Sequence, residues 1–173
     1  MTCGGEVTLF FEVYATHPWP IAVFGAGHVA QSLVPMLLNL NCQVTCIDPR
    51  PQWLAKLPEH PKLRIRCIES PKDAVAEQPA NTFFVLMSRG HATDLPVLAE
   101  ILATRNAPYI GCIGSDQKAS VLRRDLAERE LPEEKIGSFV CPIGLPIGNN
   151  TPAEIAISVV AQLIQKRDDL ARV

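Results

Sequence analysis

The chain has 173 residues, 47% of them hydrophobic and 20% charged, with a formal net charge of −2 and six cysteines. That composition supports one domain with a substantial core and no need of disulfides, and it gives neither the basic excess that nucleic acid requires nor a polybasic run for a membrane surface. The longest apolar stretch, residues 155–164, is too short to span a bilayer, so a cytoplasmic protein with reduced thiols is expected.

Residues 6–14 are rich in β-branched and aromatic side chains and predict a strand, broken by the segment 16–20 around His17, Pro18 and Trp19. Residues 21–24 predict a short buried strand. After the run Gly25-Ala26-Gly27-His28-Val29-Ala30, a helix is expected to Leu40, with Pro35 kinking or breaking it. A second strand, 43–47, ends on Asp48. Pro49-Arg50-Pro51 and a helical turn around 53–57 follow, then a third strand at 63–68 and a short helix at 71–77. The fourth strand is expected at 82–87, a helix at 94–104, the fifth strand at 109–113, a strongly patterned helix at 116–129 and one further turn at 132–136. Thr151-Pro152-Ala153-Glu154 is a capping box that opens a closing helix to Lys166.

Strands and helices alternate, which predicts an α/β fold: a Rossmann-like, doubly wound, mostly parallel sheet with helices on both faces. The expected strand order is 3-2-1-4-5, counted from the strand at residue 21. The whole chain, 1–173, reads as a single domain, with 1–18 an N-terminal strand segment and 20–173 the core. An apolar strand at a sheet edge would favour pairing of two copies.

In such a sheet, ligands bind at the carboxyl ends of the strands, and the unusual residues gather there. Gly25 allows a tight turn, Gly27 lets a pyrophosphate approach the backbone, Ala30 is small enough for close helix packing, and the helix N-terminus favours an anion. Asp48 could accept hydrogen bonds from a ribose, and Arg50 beside it could instead neutralise a phosphate. The ring of His28 should reach over the cleft. His91, in the loop after the fourth strand, is a further candidate, with Asp94 a cap or first-turn charge. Gly114 and Ser115 open a second helix N-terminus with Lys118 one turn in. The uncharged loop 142–150, with two prolines and two glycines, could cover the cleft. Cys3-Gly4-Gly5 offers a thiol that a ligand could approach closely. Cys42, Cys46, Cys67 and Cys112 fall in predicted strands and read as small buried hydrophobes; Cys141 is set beside proline. No C-x-x-C pair points to zinc or iron–sulfur.

Cys3-Gly4-Gly5-Glu6, Gly25 to Ala30, Asp48-Pro49-Arg50, His91 to Asp94, Tyr109 to Ser115 with Lys118, Pro142 to Leu145 and Thr151 to Ala156, in this order, resemble the XdhC/CoxI family of accessory proteins for molybdenum hydroxylases. The resemblance implies a chaperone without turnover that binds the molybdenum cofactor (molybdopterin), supports its sulfuration with a cysteine desulfurase, and delivers it to a xanthine dehydrogenase-type hydroxylase. Asp116 stands where the family usually has Arg, so a phosphate grip at that position is not implied. Longer relatives carry a further domain before the Cys-Gly-Gly segment, which implies a short member or a piece of a longer chain. Two alternatives stay open: a small NAD-dependent oxidoreductase with His91 as proton donor, and a module that senses NAD or another nucleotide.

Overall fold

The computed structural model describes Thr8 and residues 19–172. The segments around Cys3, the predicted N-terminal strand and His17 lie outside the described residues. The elements in chain order are β1 (Trp19–Phe24), α1 (His28–Leu38), β2 (Cys42–Asp48), α2 (Pro51–Leu54), β3 (Leu63–Cys67), a 3-10 turn (Pro71–Ala74), β4 (Phe83–Leu86), α3 (His91–Thr104), β5 (Tyr109–Cys112), α4 (Asp116–Ala127), α5 (Glu133–Gly137) and α6 (Pro152–Ala171). The five strands are all parallel, in the order β3-β2-β1-β4-β5.

Alternation explains why β1 is apolar at every position. Successive side chains point to opposite faces, and both faces are covered. Trp19, Ile21 and Val23 face a core built with Leu33, Leu37, Val159 and Leu163 from α1 and α6, whereas Ala22 and Phe24 face one built with Leu98, Ile101, Leu122 and Leu126 from α3 and α4. Each fully buried leucine contributes about 2 kcal/mol, so the central strands are the most firmly held part of the molecule. At the β3 edge the sheet turns polar: Arg64 and the exposed Ile65 leave a charged border. Cys67, expected to be buried, is exposed there for the same reason.

Several expected helical features differ: α3 begins at His91, not Asp94, so His91 opens the helix and does not lie in the loop before it, α2 is Pro51–Leu54, and α6 runs past Lys166 to Ala171. Helix α1 runs unbroken over Pro35, which sits on its exposed side, where a missing amide costs least, while Leu33, Val34, Leu37 and Leu38 fasten the other side to the core. The helix expected over 71–77 is only the 3-10 turn, because so short a segment gains too few bonds to offset its nucleation cost. An unforeseen addition borders β5. Val140 forms a parallel bridge with Gly111, its N–H donating to Ile110 O at 2.9 Å and its carbonyl accepting from Cys112 N at 2.8 Å.

Candidate functional site

The bend after β1 is shaped by two glycines with different roles. Gly25 has φ +111°, and a Cβ there would lie 2.5 Å from Met87 O, so only glycine lets the bend pass the end of β4. Gly27 has ordinary dihedrals and open space where its Cβ would be; it caps α1 without any side-chain hydrogen bond. The bend is pinned from both sides. Asp48 Oδ2 accepts from Ala26 N at 2.7 Å, and Gln31 Nε2 donates to Ala26 O and Trp53 O, each at 2.9 Å. Ala30 is fully buried beneath it.

Asp48 is 2% exposed and fully engaged. Besides Ala26 it accepts from Arg50 N (2.9 Å), Nε (2.9 Å) and Nη2 (2.7 Å). Those four donors fill the acceptor positions of a carboxylate, so a ribose hydroxyl would have to displace Arg50. Burial alone would raise the Asp48 pKa; the Arg50 fork and the two backbone amides outweigh it and hold the carboxyl below its ordinary range.

Two cavities flank the bend along the carboxyl edge of the sheet. The first, about 270 Å³, lies on the α3 side, with Phe24, Ile47, Pro71 and Val97 as apolar walls and Asp48, Thr93 and Asp94 as polar ones. The second, about 340 Å³, lies over Gly27, His28 and Val29, walled by Trp53, Met87 and Ile113. Arg50, Ser88 and Arg89 line both. The His28 ring meets Trp53 edge to face at 4.9 Å, and the Arg50 guanidinium lies 5.3 Å from the Trp53 ring. A third cavity, about 310 Å³, shares Ile113 with the second and runs under the loop 142–150 past Gly114. That loop hangs from α6: Gln162 accepts from Gly144 N (2.9 Å) and Tyr109 OH (2.5 Å) and donates to Gly144 O (3.2 Å).

The sheet thus gathers Gly25, Gly27, His28, Asp48 and Arg50 around one cleft, with Gly114 at its far end. Other candidates are engaged elsewhere. Lys118 Nζ donates to Asp94 Oδ2 and to Ile113 O (2.8 Å), and its side chain is 18% exposed. Asp94, 1% exposed, also accepts from Ser88 Oγ at 2.5 Å. Burial pulls the Lys118 pKa down, but its bond to Asp94 leaves it above the ordinary value. His91 pairs through Nε2 with Asp125 Oδ2 at 2.7 Å, and Ser115 caps α4 by accepting from Lys118 N at 3.3 Å. The cation that stands at the cleft with no ion-pair partner among the described residues is Arg89, which the sequence pattern does not single out. Its signal there is its place immediately after the first polar residue beyond β4.

A family model described as the XdhC Rossmann domain matches residues 21–163. The chain belongs to the XdhC Rossmann domain family. Among its relatives, the uncharacterized protein YqeB of Escherichia coli is 28% identical over 170 residues, 96% of this chain and 30% of that protein. A protein of Bacillus subtilis described as a probable xanthine dehydrogenase subunit is 29% identical over 155 residues, 87% of this chain and 44% of that one. A crystal structure described as a xanthine dehydrogenase from Bacillus halodurans superposes with a TM-score of 0.71 at 27% identity, over 88% of this chain and 43% of that one. This XdhC domain therefore spans less than half the length of each of these three relatives. No helix among its described residues is long and apolar enough to cross a membrane.

Proposed function

We propose that this XdhC domain binds the molybdenum cofactor across the two chambers flanking Gly27 and acts as an accessory to a xanthine dehydrogenase-type molybdenum hydroxylase, supporting the cofactor's sulfuration by a cysteine desulfurase and its insertion. Family membership and two neighbours named for xanthine dehydrogenase support the accessory role. The observation that carries the ligand reading is Arg89, a guanidinium with no ion-pair partner among the described residues, at the junction of both chambers beside the open space over Gly27.

The residues fit a ring that carries a phosphate. Arg89 and the uncapped start of α1 suit the anion, since both supply donors that no group among the described residues takes up. Trp53 and His28 give an aromatic wall for a flat ring, and Met87 with Ile113 closes the chamber behind it. When bound, the cofactor would be cargo, and the protein's part is to hold it, shield it from water and orient it for transfer.

Reconstitution tests this reading: inactive apo-hydroxylase receives purified molybdenum cofactor with and without the protein. Faster or fuller recovery of activity with the protein is expected, and recovery unaffected by it would overturn the proposal. The pair of chambers on either side of one glycine bend favours a second reading, an NAD-type dinucleotide. Titration with NADH, followed by the fluorescence of Trp53 in the cleft, decides between them: saturable binding of NADH but not of molybdenum cofactor selects the dinucleotide.

A further inference from the structure

The parallel bridge between Gly111 and Val140 has a chemical consequence one residue on. It sets Cys112 beside Cys141, both side chains turned into the α3/α4 core. Residues bridged on neighbouring strands lie about 4.8 Å apart, and Cys112 and Cys141 each follow one residue beyond the bridge, near the Cα separation that a disulfide spans. Both are free thiols: Cys112 Sγ donates to Asp94 Oδ2 at 3.8 Å and to Ile113 O at 3.6 Å, and Cys141 Sγ to Ser115 O at 3.9 Å. We propose that Cys112 and Cys141 form a thiol–disulfide exchange pair whose co-reactant is a small-molecule disulfide, with Cys141 attacking and Cys112 resolving.

The surroundings divide the roles. Cys141 is 8% exposed and Cys112 is fully buried. Gly114 is exposed, and a Cβ on it would lie 3.1 Å from Cys141 Sγ and 2.7 Å from Lys118 Cδ, so the approach to that sulfur runs over the bare Gly114 backbone beside the flexible Lys118 stem. The neighbouring Cys112 thiol, and then the charges of Lys118 and Arg123, bring the Cys141 thiol below its ordinary value against the effect of burial. Cys112 is pushed up, first by the neighbouring Cys141 sulfur, then by burial and by the Asp94 carboxylate, to which its thiol donates at 3.8 Å. The remaining described cysteines lack this arrangement. Burial pushes Cys46 to about 12 and raises Cys42, while Cys67 is exposed at the β3 edge.

The chemistry balances. The Cys141 thiolate attacks one sulfur of R–S–S–R, the S–S bond breaks, and RS⁻ leaves. The Cys112 thiol, which donates to Asp94 Oδ2 and Ile113 O, gives its proton to the released RS⁻. The Cys112 sulfur then attacks Cys141 Sγ and expels a second RS⁻, which takes the proton lost by Cys141. Two protein thiols are oxidised and one disulfide is reduced to two thiols. The new bond ties residues 139–143 to β5, and with them the base of the 142–150 loop that walls the third cavity.

Peptide mapping tests this on the full chain equilibrated with oxidised and reduced glutathione, acid-quenched and alkylated. Cleavage after Arg105, Lys118, Lys135 and Lys166 places the two cysteines in separate peptides. The expected result is a 112–141 cross-link that dithiothreitol reverses. Cys112→Ser should leave glutathione on Cys141, and Cys141→Ser should leave Cys112 unmodified. The wild-type map stands even if a variant fails to fold. Both cysteines recovered as alkylated thiols in excess oxidised glutathione, or cross-linked instead to Cys3 or Cys67, would overturn the proposal.

Discussion

Asp48 Oδ2 holds the amide of Ala26 at 2.7 Å, so the acid at the end of β2 fixes the shape of the glycine bend after β1. Arg50 closes the arrangement from outside with a two-pronged ion pair. Asp48→Asn would lose the ion pair and turn amide hydrogens toward these donors. Leaving the Ala26 and Arg50 donors facing an amide in place of a carboxylate costs about 2–3 kcal/mol. The sign of the pH effect follows from the lowered folded pKa. The stabilisation is fully present above the ordinary value of 3.8 and is lost as pH falls through the lower folded value. Urea midpoints for wild type and Asp48→Asn should therefore differ most near neutral pH and converge below that value. A constant gap down to pH 2 would contradict the assignment.

The two glycines of the bend should separate folding from binding. Gly25→Ala forces a Cβ against Met87 O at a left-handed φ and is expected to destabilise by about 3 kcal/mol or more. Gly27→Ala meets nothing within 4 Å and should leave the melting temperature unchanged, while its methyl intrudes on the second chamber. Thermal melts paired with fluorescence titration of Trp53 by molybdenum cofactor or NADH check both. Undiminished binding by a folded Gly27→Ala protein would remove this chamber from the site.

Arg89 has no ion-pair partner among the described residues, so Arg89→Gln should leave stability within about 0.5 kcal/mol of wild type. If it holds an anionic group, the lost charge-assisted bonds weaken binding about tenfold or more. The same titration reads this, and the loss should shrink at high salt because exposed charges are screened.

Lys118 and Asp94 form the buried counterpart, with side chains 18% and 1% exposed. Lys118→Met leaves Asp94 without its cation beneath the first chamber and is expected to cost about 3 kcal/mol. For a chain of this size that lowers the melting temperature by roughly 6–12 °C. Lys118→Met combined with Asp94→Leu should recover part of the loss, which a double-mutant cycle by calorimetry measures.

The sequence alone determined the α/β architecture, because the strands expected at 21–24, 43–47 and 82–87 and the glycine bend each follow from local rules of burial and turn geometry; the expected strand order, which the structure shows, came from the fold class and not from those rules. It also determined where the cleft's residues cluster, since parallel strands place every strand-end loop on one edge. Only the tertiary structure decided which of those residues are free. Charge and a place just beyond a strand end look alike in sequence for Arg50, Arg89 and Lys118, yet Asp48 occupies the first, Asp94 the third, and no carboxylate among the described residues reaches Arg89. The same holds for Cys112 and Cys141, whose separation along the chain hides a contact made by one parallel bridge. Pairing across space is set by how elements pack, and no local pattern of residues encodes it.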